Sequence, residues 1–121
     1  MHLAADLAIA VVALLHGLFL VLEMFLWTKP FGRRTFGLSK ELAEQTRGLA
    51  ANQGLYNGFL AAGLVWGLCA GPFDGFAPRV FFLVCVVVAG LFGAATAKRS
   101  ILFVQALPGA IALALTLLAR R

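Results

Sequence analysis

Charge is what this chain has least of. Charged side chains make up 12% of its 121 residues, where a soluble domain carries about 25%. Against that scarcity, 62% of the residues are hydrophobic and the mean hydropathy is +0.96. A globule this small has too much surface for its volume to bury so much apolar side chain, which excludes a soluble domain and leaves lipid as the second solvent. Cysteine is nearly missing as well. Cys69 and Cys85 each lie in an apolar run, without the spacing of a disulfide scaffold or a zinc site, and read as small buried apolar residues. No metal-ligand cluster, Ser/His/Asp set or Gly-rich phosphate loop is visible. No Lys or Arg precedes the first apolar run, so the N-terminus lacks the positive region of a signal peptide and reads as a retained helix. The net charge of +5 is not arranged as a basic patch interleaved with aromatics, which excludes a nucleic-acid partner.

What is present is a series of apolar segments. Residues 7–27, 48–70, 80–97 and 101–119 are each near the ~20 residues that span a bilayer core. The expected fold is therefore all-α: a polytopic four-transmembrane-helix bundle forming one domain over residues 1–121. Trp27 marks the headgroup level. The loop 28–47 holds Pro30 and Gly32, which break a helix. Ser39 is placed to cap a new one, with Glu41 and Glu44 suited to its first turns. Residues 71–75 form a turn, and Pro108 lies inside the fourth segment, where neighbours must satisfy the freed carbonyl.

Orientation follows from the basic residues. Lys29, Arg33, Arg34, Lys40, Arg47, Lys98 and Arg99 fall on one side, seven in all, and Arg79, Arg120 and Arg121 on the other, three in all. The positive-inside rule puts loop 28–47 in the cytoplasm and both termini outside.

Polar side chains within a membrane helix are costly and turn toward protein or a wet cavity. In the first helix His16 and Glu23 are seven residues apart, two turns and about 10 Å along one face. Glu23 needs a proton or a cation, and Arg47 and Arg99 are its expected partners. In the second helix Asn52, Gln53, Tyr56 and Asn57 span about 140° of one face at its cytoplasmic end. They serve either as glue between helices or as the lining of a site. Gly54 and Gly58 form one small-xxx-small pair and Gly63 and Gly67 another, permitting close helix approach. Arg99 opens the fourth helix and either snorkels to phosphates or holds an anionic ligand.

The stretches Leu22-Glu23-Met24-Phe25-Leu26-Trp27 and Asn52-Gln53-Gly54-Leu55-Tyr56-Asn57-Gly58-Phe59-Leu60-Ala61 resemble a family of small bacterial integral membrane proteins of unknown function, about 120 residues long. That resemblance covers the whole chain, Gln105 and Pro108 included, and implies no activity. A more distant similarity is to the MAPEG superfamily, four-helix proteins that form trimers. Its second helix carries a pattern of the form Ala-His-x-Asn-x-x-Glu-Asn. Ala50 and Asn57 match it, while Ala51 stands at the His, Gln53 at the Asn and Tyr56 at the Glu. Arg99 is placed like the arginine that helps activate the glutathione thiol in that superfamily. The similarity implies a homotrimer and makes glutathione a candidate cofactor, with Phe103 where some members have tyrosine.

Three functions fit these residues. One is a MAPEG-like protein whose Glu23, Asn52, Gln53, Tyr56, Asn57 and Arg99, from the same or a neighbouring subunit, line a cavity near the cytoplasmic face for an amphipathic ligand or glutathione. Another is a small transporter or channel. The third is a structural or accessory membrane protein. No residue is marked as catalytic, and enzyme activity stays open.

Overall fold

A computed structural model describes residues 1–120. Among them all regular structure is helical: α1 His2–Met24, α2 Pro30–Phe36, α3 Lys40–Cys69, α4 Gly71–Asp74 and α5 Phe76–Thr96 come first. A π-helical segment Leu102–Ala106 then runs into α6, Leu107–Ala119. Three helical stretches are long and apolar enough to cross a membrane: His2–Met24, Phe76–Thr96 and Leu102–Ala119. The outward faces are rich in large apolar groups, such as Leu3, Leu7, Val11, Leu14 and Leu18 on α1. The fourth expected span falls within α3. That helix opens with Lys40, Glu41, Glu44 and Arg47 and carries Asn52, Gln53, Tyr56 and Asn57 further on, which dilutes its apolar character.

The connection between α1 and α3 is more helical than expected. Pro30 starts α2 rather than breaking it, because its fixed φ suits a first turn whose N–H groups need no partner. Gly37, at φ 65°, ends α2 in the left-handed region, as a helix C-terminus favours. Ser39 then caps α3 as its sequence suggested, its Oγ accepting from the Leu42 N–H at 3.1 Å.

The chain forms two compact units, one combining Met1–Leu14 with the chain from Leu60 onward, the other Leu15–Phe59. In the first, Ile9, Val12 and Ala13 of α1, Leu64 of α3, Leu83 and Val86 of α5 and Ala112 of α6 build a buried apolar core. Backbones come close where side chains vanish. A Cβ on Gly90 of α5 would meet the backbone nitrogen of Ala106 at 2.7 Å, so the π-helical segment lies almost directly on α5. That segment absorbs Pro108: the Leu107 N–H donates to the Leu102 carbonyl five residues back, a widened turn of the kind that relieves an interrupted hydrogen-bond ladder. Gln105, in the same segment, reaches the Val86 carbonyl at 3.5 Å.

In the second unit the end of α1, α2 and the first half of α3 are tied by polar contacts. Trp27 Nε1 donates to Thr46 Oγ1 at 3.0 Å, and that hydroxyl donates to the Leu42 carbonyl at 2.7 Å. The Trp27 and Phe36 rings lie 4.9 Å apart. His16 is buried, its ring and that of Phe19 in an edge-to-face arrangement with centres 5.5 Å apart.

Candidate functional site

The site of the second unit begins with a glycine. A Cβ on Gly54 would meet the side chains of Met24 and Glu23 and the Leu20 carbonyl, and one on Gly58 would meet Leu20. The Gly54/Gly58 pair therefore seats α3 directly on the end of α1. One turn beyond Gly54, Asn57 lies over Glu23, and its Nδ2 donates to the carboxylate Oε1 at 2.7 Å. Both residues are half-buried.

This corrects one expectation. Glu23 meets an amide rather than an arginine: among the described residues it makes no ion pair, and Arg47 instead faces Glu44 at 3.9 Å, both exposed. The reason is distance along the helix. Arg47 lies ten residues before Asn57, about 15 Å down the α3 axis.

The other expected members stand as follows. Asn52, Gln53 and Tyr56 are exposed, and the Tyr56 ring meets Phe59 edge-on at 5.9 Å. Arg99 belongs to the first unit, exposed in the turn between α5 and the π-helical segment, where its carbonyl accepts from the Leu102 N–H at 3.0 Å. The structure thus joins Glu23 to Asn57 and leaves three polar side chains of the same helix on the surface.

The first unit holds a polar centre that sequence reasoning assigned only to orientation. Arg79, 2% exposed, donates from Nη1 to Asp6 Oδ1 at 2.7 Å and from Nε to the Gly67 carbonyl at 2.8 Å. Gly67 is again the approach point: a Cβ there would meet the Arg79 side chain and backbone. The signal was present in the sequence, since Asp6 is the one acid before Glu23 and Arg79 the one base between Arg47 and Lys98. Isolated opposite charges at the ends of two apolar helices tend to be partners.

The chain matches the model of a family described as Protein of unknown function (DUF1304) over residues 10–117. It belongs to that family. No curated protein and no solved structure matches it. The match bears out the resemblance to a family of unknown function.

Proposed function

We propose that this DUF1304 chain is a four-helix protein of the bacterial inner membrane, with α3 as the fourth span, which assembles as a homotrimer and binds an amphipathic ligand on the polar face of α3. One observation carries the reading. Asn57 turns inward to the Glu23 carboxylate, while Asn52, Gln53 and Tyr56, within a turn and a half of it, remain exposed. Polar side chains at membrane depth need partners that lipid tails do not supply, and a ligand or a second copy provides them. The Glu23–Asn57 pair is the fixed wall of such a site, with Tyr56 donating to an anionic group and Asn52 and Gln53 orienting the ligand.

Glutathione is the first ligand to test, on the partial likeness of α3 to the MAPEG pattern, in which Ala50 and Asn57 match. An Arg99 guanidinium from a neighbouring copy supplies the fixed charge for its carboxylate or thiolate. Thermal unfolding of the purified chain, titrated with reduced glutathione, is expected to show a saturable rise that disappears in Arg99→Ala and Tyr56→Phe. An unchanged midpoint would remove the thiol tripeptide, and direct pairing of the α3 side chains between copies would leave a purely structural role.

The orientation is tested separately. In a Cys69→Ala, Cys85→Ala background, an impermeant maleimide added to intact cells is expected to label His2→Cys and to miss Thr35→Cys. Labelling of position 35 alone would invert the topology.

A further inference from the structure

The Asp6–Arg79 centre is not used by the α3 site and has unfinished chemistry of its own. Two of the three guanidinium nitrogens of Arg79 are bonded, to Gly67 and Asp6. The third, Nη2, is buried and has no acceptor among the described residues. Arg79 lines a cavity of about 20 Å³, together with His2, Thr116 and Arg120. That is room for one oxygen-sized group. Phe73, Phe76 and Arg120 also border a wide open trough of about 840 Å³, whose floor runs along α5 over Val80, Phe81 and Val84. Arg120 is held at this shared wall, its guanidinium 4.1 Å from the centre of the Phe76 ring.

A small socket, mostly apolar but with Arg79, His2, Thr116 and Arg120 on its wall, thus shares Phe73, Phe76 and Arg120 with an open trough. We propose that it binds a single-chain carboxylate amphiphile of the fatty-acid type. One carboxylate oxygen accepts from Arg79 Nη2 in the socket, Arg120 balances the charge, and the hydrocarbon chain lies along the trough. Asp6 already shows the kind of acceptor this guanidinium takes, and its planar fork offers a second edge to another carboxylate. Asp6 cancels Arg79, and Arg120, with Asp74 as its competitor on the trough wall, is the cation that faces an incoming headgroup. A phosphate monoester fits poorly, because the socket admits one oxygen and Asp74, also on the trough wall, repels a second charge. A free small carboxylate has the same head but gains nothing from the trough.

The test is thermal unfolding of the full chain in nonionic micelles, titrated with dodecanoate, with dodecanol and with acetate. Dodecanoate is expected to raise the midpoint saturably, dodecanol to do so far more weakly, and acetate not at all. Arg120→Gln and Val84→Trp are each expected to shift the dodecanoate titration to roughly tenfold higher concentration, through loss of the charge-assisted contact and of the channel respectively. Lys98→Gln, an exposed charge in the turn after α5, is expected to change nothing. Arg79→Lys removes Nη2 but keeps a cation for Asp6, and is expected to abolish the response while retaining a cooperative transition. Equal effects of dodecanol and dodecanoate would reduce the trough to ordinary apolar partition. An acetate response as large as that of dodecanoate would make the socket a small-anion site without a chain. A wild-type response in Arg120→Gln would overturn the proposal outright.

Discussion

Asp6→Leu is expected to be among the most destabilising single substitutions in this chain. It strips the countercharge from a guanidinium whose side chain is 3% exposed. Removing one partner of a buried pair costs about 3–5 kcal/mol, because the other charge is left uncompensated. Asp6 itself is 41% exposed, so water reaches its side of the pair, and the expected loss sits at the lower end, about 3 kcal/mol. Arg79→Met is expected to cost less. It removes the buried charge together with the need to balance it, and a hydrophobic group of similar volume is often a neutral replacement. What it does lose is the Nε hydrogen bond to Gly67, whose carbonyl lies in the last turn of α3 and is one of the groups a helix end leaves without an internal partner. The double variant is therefore expected to recover most of the Asp6→Leu loss, and thermal unfolding of the two single variants and the pair reads the coupling directly. Strictly additive losses would show that the ion pair contributes nothing beyond its separate residues.

This pair was legible in the sequence only as two isolated charges of opposite sign. The apolar runs announced helices because a backbone in lipid has no other way to satisfy its polar groups; α1 and α5 begin five and four residues before their runs, and the fourth run is divided between the π-helical segment and α6. Local capping was equally legible: Ser39 caps α3 through its own hydroxyl, an interaction that spans three residues. Pro30 was misjudged because proline breaks a helix only from its interior and opens one at its first turn. Asp6 and Arg79 lie 73 residues apart, and nothing local says that the first turns of α1 and α5 meet. The widened turn at residues 102–106 was equally hidden. Pro108 announced a disturbed helix, but whether it kinks or takes up an extra residue depends on Gly90 of α5 letting the Ala106 backbone come close. The polar face of α3 was visible as a set of residues. Which member turns inward was decided by Gly54, the point where α3 touches the end of α1.

Asn57→Leu is expected to destabilise the chain by about 1–3 kcal/mol, the cost of leaving a partly buried acceptor without its donor. The leucine occupies similar space but offers no donor, and the half-buried Glu23 carboxylate, held at 2.7 Å in the native chain, keeps its desolvation with nothing to offset it. Glu23→Gln is expected to cost much less, since an amide oxygen still accepts from the Asn57 Nδ2. Glu23→Leu removes the acceptor, and combined with Asn57→Leu it should cost clearly less than the sum of the two, because each single change strands the partner of the other. Arg47→Gln supplies the contrast. Arg47 is exposed and its one ionic neighbour, Glu44, is 3.9 Å away on the surface of α3, so the change should stay within about 0.5 kcal/mol and add linearly to Glu23→Leu. Unfolding midpoints for the four variants and the two doubles separate the two pairings. Coupling between positions 23 and 57 with none between 23 and 47 is the expected pattern. The reverse would return the Glu23 carboxylate to an arginine partner and take from α3 the fixed wall on which its ligand site depends.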